Sequence, residues 1–122
     1  MRSLILEPTN KTPKIVLSTE LNLYEIQGRS IAEDAVGYWQ PILKWLDESN
    51  LNNKCIFKFN LSYFNTSSSK MILEFFRKLE KKYKAGYDIE IEWSCDFDDD
   101  DMIETGEDYR ALVSLPFNIK KI

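Results

Sequence analysis

Tyr63-Phe64-Asn65-Thr66-Ser67-Ser68-Ser69-Lys70 is the stretch that decides how this chain folds. Before it, Cys55, Phe57, Phe59 and Leu61 alternate with Ile56, Lys58 and Asn60, the period of a strand with one apolar face. After it, Ile72, Phe75, Phe76, Leu79 and Tyr83 recur at helical spacing within the run Met71 to Tyr83. The octapeptide is therefore predicted to be a strand-to-helix turn, with consecutive hydroxyls over the first turn of the helix. The first N–H groups of a helix have no internal partner, and the macrodipole places partial positive charge there. Asn, Thr and Ser are favoured caps, so one of them is expected at such a turn on any fold. One cap needs one such residue, whereas Asn65 to Ser69 supply five in a row. Two readings are open: simple capping, and a modified or ligand-binding turn where a phosphate ester would meet the helix N-terminus.

Working outward, Tyr87, Ile89, Ile91 and Trp93 alternate with Asp88, Glu90 and Glu92, a second half-apolar strand. Two such strands around an amphipathic helix predict an α/β domain of two layers, helices against one side of a sheet. The helix between them carries Arg77, Lys78, Lys81, Lys82 and Lys84 outward and ends at Gly86. Basic residues near a helix C-terminus complement its dipole, so this cluster reads as a solvated face. Upstream, Ser30-Ile31-Ala32-Glu33 has the capping-box form. It opens a predicted helix with Ala32, Ala35, Val36, Trp39, Ile42, Leu43 and Leu46 as its core stripe. Ile31, Tyr38 and Trp45 run along the stripe's edge, and Pro41 is expected to bend or interrupt the helix. Leu4 to Leu6, Ile15 to Leu17 and Leu21 to Gln27 read as strands. Ser18-Thr19-Glu20 links the last two as a hairpin, and Gly28 breaks the pattern.

Downstream, Asp88 to Asp108 holds eleven acidic residues and no Lys or Arg, which reads as solvated surface. Asp96 to Glu107 partly imitates a calcium loop, but its sixth place holds Asp101 where the turn needs Gly. A weak divalent site at Asp98, Asp100 and Asp101 is the most this segment offers. Ala111 to Phe117 reads as a last strand ended by Pro116.

At 122 residues and 43% hydrophobic content, the chain fits one domain, 1–122, with one core. Its net charge of −4 argues against a general nucleic-acid binder. No histidine is present, which excludes Ser-His-Asp and Cys-His nucleophiles, and no Gly-rich phosphate loop occurs. The expectation is a protein that is not an enzyme and uses no cofactor. Cys55 and Cys95 fall in strand-like runs and read as small buried hydrophobes of a reducing compartment. Met1 to Glu7 is too short in its apolar part for a signal peptide, and no run approaches a membrane span. A cytoplasmic protein is expected, without membrane or nucleic-acid partners.

Taken together, Thr12-Pro13-x-Ile15, Gly28-x-Ser30 with Glu33, and Tyr63-Phe64-Asn65-Thr66-Ser67-Ser68 resemble the SiaC-type biofilm-regulation phosphoproteins of bacteria. Trp93, the acidic run Asp98 to Asp101, Gly106-Glu107-Asp108 and Leu115-Pro116-Phe117 extend the resemblance over nearly the whole chain. The resemblance implies a fold like that of STAS-type anti-sigma-factor antagonists, a small mixed β-sheet with helices packed mainly on one face. It also implies a switch: phosphorylation of Thr66 by a Ser/Thr-type kinase, reversed by a PP2C-like phosphatase. The unmodified form would bind and activate a diguanylate cyclase, raising cyclic di-GMP. By residue type alone, Ser67, Ser68 and Ser69 compete with Thr66 as acceptors. Tyr63, Phe64, Asn65, Thr66, Ser67 and Ser68 form the expected partner-binding surface. Three other readings remain beside it: an anti-sigma-factor antagonist whose partner is an anti-sigma kinase, a carboxylate-based metal enzyme using Asp96 to Glu107, and an adaptor whose hydroxyl turn is only a cap.

Overall fold

The computed structural model describes residues 3–122. Met1 and Arg2, the start of the N-terminal stretch judged too short for a signal peptide, lie outside the described residues. Nine elements follow in order: β1 (Ser3–Leu6), β2 (Lys14–Ser18), β3 (Leu23–Ser30), α1 (Ala35–Glu48), β4 (Cys55–Phe64), α2 (Thr66–Lys84), β5 (Ile89–Cys95), α3 (Asp100–Leu112) and β6 (Phe117–Lys121). The six strands form one sheet in sequence order. β1, β2 and β3 pair antiparallel, and β3, β4, β5 and β6 pair parallel, so the sheet is mixed as expected.

The strand order fixes where the helices go. Each parallel neighbour needs a crossover, and crossovers are right-handed almost without exception. Because the order always advances in one direction, α1, α2 and α3 fall on the same face. The alternation then sorts the side chains. Tyr24, Ile26, Phe57, Phe59, Ile91 and Trp93 face the helices and are buried with Trp39, Ile42, Phe75 and Phe76. Glu25, Gln27, Lys58, Asn60 and Glu92 take the other face, which no helix among the described residues covers. Parallel strands are usually covered on both faces, and the half-apolar alternation of β4 and β5 is the sequence mark of this exception.

Several local expectations are corrected. Ser30 does not cap a helix. β3 runs on through a bulge at Gly28/Arg29, with Gly28 at φ +117°, and pairs Ser30 with Phe64 of β4. The ladder therefore takes Ser30 to Ala32 out of helical geometry, and α1 starts later, where Asp34 accepts the Gly37 N–H at 3.0 Å. In the resulting phase Val36 is exposed and Trp45 is fully buried, the reverse of core stripe and edge. Pro41 lies inside α1 without interrupting it.

The acidic segment is not loop: Asp100 to Leu112 is helix. Asp99 caps it by accepting the Met102 N–H at 3.1 Å, and Asp100 and Asp101 sit in its first turn, where the dipole favours carboxylates. A helix there removes the calcium-loop geometry. The final strand shifts as well: Ala111 and Leu112 end α3, and β6 begins after Pro116, whose carbonyl accepts the Ile91 N–H at 2.9 Å. Lastly, β3 starts at Leu23 instead of Leu21, because Asn22 turns the hairpin at φ 51°. No helix among the described residues is long and apolar enough to cross a membrane.

Candidate functional site: the hydroxyl turn opening α2

β4 extends to Phe64, three residues beyond the apolar alternation, so Tyr63 and Phe64 end a strand and Asn65 alone makes the turn. Asn65 is bonded on every side. Its Oδ1 accepts the Ser68 N–H at 2.9 Å, and its carbonyl accepts the Ser69 N–H at 2.9 Å. Its own N–H donates to Ser30 O at 3.1 Å, and its side-chain Nδ2 donates to Ala32 O at 3.4 Å. A Ser or Asp cap would reproduce the first bond but has no N–H to reach Ala32. The start of α2 is thereby riveted to the end of β3.

The hydroxyls that follow divide sharply. Thr66 and Ser67, the first two helical positions, are exposed. Their N–H groups precede any carbonyl the helix can offer. Ser68 points inward and is fully buried; its Oγ accepts from Ser30 Oγ at 2.9 Å, and Ser30 Oγ accepts from the buried Trp39 indole N–H at 3.2 Å. This chain gives a partner to three polar groups that would each be costly to bury alone. No enzyme reaches the Ser68 hydroxyl unless the start of α2 opens. Ser69 is half-buried and donates its hydroxyl to Thr66 O at 2.6 Å. Of the residues expected to form a surface, Tyr63 is 56% exposed and stands beside the turn. Phe64 is half-buried, packed edge-on to Trp93 with ring centroids 6.1 Å apart.

The acidic helix reaches the same place from the other side. The Tyr109 hydroxyl donates to Ser69 O at 2.9 Å, and the Tyr109 ring packs 5.4 Å from Trp93 and 6.4 Å from Phe64. Burial pushes the Tyr109 phenol well above its ordinary value, so it stays a donor through the neutral range. Gly106 lets the helix approach, because an added Cβ would lie 2.6 Å from Trp93 Cδ1. Thus α3 braces the turn through Tyr109, Trp93 and Phe64. Ser30, Trp39 and Tyr109 are parts of the site that the sequence reading did not find. They are 38, 29 and 40 residues from their partners at Ser68 or Ser69 or, for Trp39, one bond further removed, and no local pattern links them to the turn.

The remaining candidates do not converge. Among the described residues no group of three or more His, Cys, Asp or Glu is placed to hold a metal ion. Asp98, Asp100 and Asp101 are exposed and lie around the start of α3. Cys55 and Cys95 are buried, and burial pushes both thiols up, as for inert core cysteines.

Comparison with known proteins agrees with this architecture. The profile described as SiaC family regulatory phosphoprotein matches residues 6–122. An uncharacterised Pseudomonas aeruginosa protein is 25% identical over 122 residues, covering 98% of this chain and 97% of that one. The crystal structure of apo-SiaC from Pseudomonas aeruginosa superposes with a TM-score of 0.87 at 24% identity, covering 98% of this chain and 99% of that one. A crystal structure from the same organism, of the diguanylate cyclase SiaD in complex with its activator SiaC, matches with a TM-score of 0.91 at 24% identity over 98% and 99% of the two chains. With the profile spanning all but the first few residues, the chain belongs to the SiaC family of regulatory phosphoproteins.

Proposed function

We propose that residues 1–122 form one non-enzymatic regulatory domain whose unmodified form binds and activates a diguanylate cyclase, and that phosphorylation of Thr66 releases it. The observation that carries this reading is the division of hydroxyls at the turn: Thr66 is exposed at the first helical position while Ser68 is buried and bonded. A Ser/Thr-type kinase and a PP2C-like phosphatase would set the state. The complex of the related SiaC with the diguanylate cyclase SiaD supports the choice of effector.

The physics favours a change of surface over a change of fold. A phosphate adds roughly −1.5 to −2 charge and three acceptor oxygens. At the start of α2 it meets the free N–H groups of Thr66 and Ser67 and the favourable end of the dipole. Lys70, four residues on, shares that helix face. The Asn65, Ser68 and Tyr109 bonds beneath it involve none of the Thr66 hydroxyl, so the turn keeps its shape. A partner seated on Tyr63 and the bare turn would have to desolvate the dianion and is expelled.

The test is mass spectrometry of the protein purified from its native cells, paired with cyclase binding by the modified and unmodified forms. The expected result is one phosphate on Thr66 and cyclase binding by the unmodified form alone; Thr66→Ala then binds constitutively. A phosphate on Ser67 keeps the switch and moves the acceptor. A Thr66→Ala protein still released by the kinase sinks the assignment, and equal cyclase binding by both forms sinks the switch.

A further inference from the structure

The lysines of α2 read from sequence as a solvated face, but the fold sets α1 beside them. Two adjoining hollows, of about 310 Å³ and 380 Å³, lie along the seam of α1 and α2 and share Asp47 and Lys78 in their walls. The larger one is walled by Leu43 and Met71, both packed on the core, together with Gln40, Lys44 and Glu74. The other is lined by Lys78, Lys81, Lys82 and the ring of Tyr87. The seam thus offers apolar surface along its whole length, from Leu43, Met71, Ala85 and Tyr87, and gathers three of its four lysines, Lys78, Lys81 and Lys82, in one half, in a chain whose net charge is −4.

The geometry points to a docking channel between α1 and α2 that takes an acidic segment of a partner protein carrying apolar residues along one side. Charge complementarity selects this occupant. Four lysines line the channel against two carboxylates, Asp47 and Glu74. Asp47 is already held by Lys78 at 2.9 Å. Among the described residues, Lys44 and Lys81 have no carboxylate within ion-pair distance, and Lys82 lies over the Tyr87 ring at 5.6 Å. Opposed side-chain rows on two helices make the kind of groove into which an apolar stripe seats. Lysines at one end then fix direction and favour carboxylates over other charges.

The cationic half is also separate from the hydroxyl turn. Lys78 stands twelve residues beyond Thr66 along α2, about 18 Å, and the Debye length at physiological salt is about 8 Å. A charge at Thr66 is screened from it. The cationic half therefore keeps its pull on carboxylates in either state of the turn, and its existence does not depend on the function proposed above.

The decisive experiment is a titration of the isotope-labelled full chain with two synthetic amphipathic peptides of equal length, one of Glu and Leu, the other of Lys and Leu, followed by NMR. The Glu/Leu peptide should give saturable shifts at the Met71 and Leu43 methyls and the Lys81 and Lys82 amides, and the Lys/Leu peptide should not. The double variant K81E/K82E should weaken the Glu/Leu peptide by about tenfold or more at low salt, while K81R/K82R and Thr66→Glu stay within about twofold of the parent. Unchanged melting of K81E/K82E guards against a folding artefact. Equal response to both peptides, shifts confined to other surfaces, or an affinity indifferent to K81E/K82E would overturn the channel. Concentration-dependent self-association abolished by K81E/K82E would instead seat the acidic region of a second copy there and overturn the choice of occupant.

Discussion

Replacing Gly106 with alanine tests the packing that braces the site. Alanine is the better helix former by about 1 kcal/mol, so a helix considered alone would gain. The tertiary structure reverses the sign. The new Cβ would stand 2.6 Å from Trp93 Cδ1 and 2.8 Å from its Nε1, whereas carbon atoms rest at about 3.5–4.0 Å. Trp93, 1% exposed, has nowhere to retreat: Phe59, Phe76 and Phe117 lie 6.2, 6.3 and 6.4 Å away, centroid to centroid. The indole also donates to Met102 O at 3.1 Å on α3 itself, so moving the ring or the helix strains that bond. Overpacking of this kind costs about 1–3 kcal/mol and a weakened buried hydrogen bond about 1 kcal/mol. After the helix gain, the expected net loss is about 1–3 kcal/mol. At roughly 3–5 °C per kcal/mol for a domain of this size, the Tm should drop by about 3–15 °C. Urea denaturation followed by tryptophan fluorescence measures the loss, and the Trp93 indole N–H resonance should shift. A Gly106→Ala protein as stable as the parent, or more stable, would refute the argument that close approach to Trp93 requires glycine there.

Asn65→Ala should cost about 1–2 kcal/mol and Asn65→Asp less, because aspartate keeps the cap on Ser68 and loses only the bond to Ala32; equal losses in denaturation would show that the cap on Ser68 contributes nothing. Stability should also fall in alkali. Burial holds Tyr38 up at about 12 against an ordinary 10.0, and pushes Tyr109 up further. These phenols bind their protons more tightly folded than unfolded, so their contribution is complete below about pH 10 and is lost as pH rises through about 12. A urea midpoint that stays flat across that interval would contradict the burial of both side chains.

How much of this was legible in the sequence depended on the range of the forces involved. The α2 stripe from Ile72 to Leu79, the one-sided strands β4 and β5, Gly86 at φ +107° just past α2, and the hydroxyl-rich start of α2 follow from periodicity and local capping and stand in the structure, whereas Tyr83 and Tyr87, read into the same stripes, are exposed and Tyr87 precedes β5. The failures share a cause. Ser30-x-x-Glu33 satisfies a helix-start pattern, but pairing of Ser30 with Phe64 offered those residues a ladder that the pattern could not anticipate. The helix α3 was masked by its charge. Met102, Gly106, Tyr109 and Val113 do recur at helical spacing, but a stripe containing glycine within eleven acidic residues looks like solvated loop until Trp93 is seen filling the space the glycine leaves.

The sequence by itself determined the family, the two-layer α/β class and the hydroxyl-rich helix start, because each rests on short motifs, periodicity and capping residues that can be read without knowing what packs against them. Only the tertiary structure decided which hydroxyls of that start are available. Ser67 and Ser68 are adjacent and chemically identical, and nothing local tells them apart. Successive helical residues point about 100° apart. Once α2 lies on the sheet, that rotation turns Ser68 into the core, where Ser30 and Trp39 meet it, and leaves Thr66 and Ser67 to the solvent. Burial is a property of what packs against a residue, and the residues that pack against Ser68 come from β3 and α1.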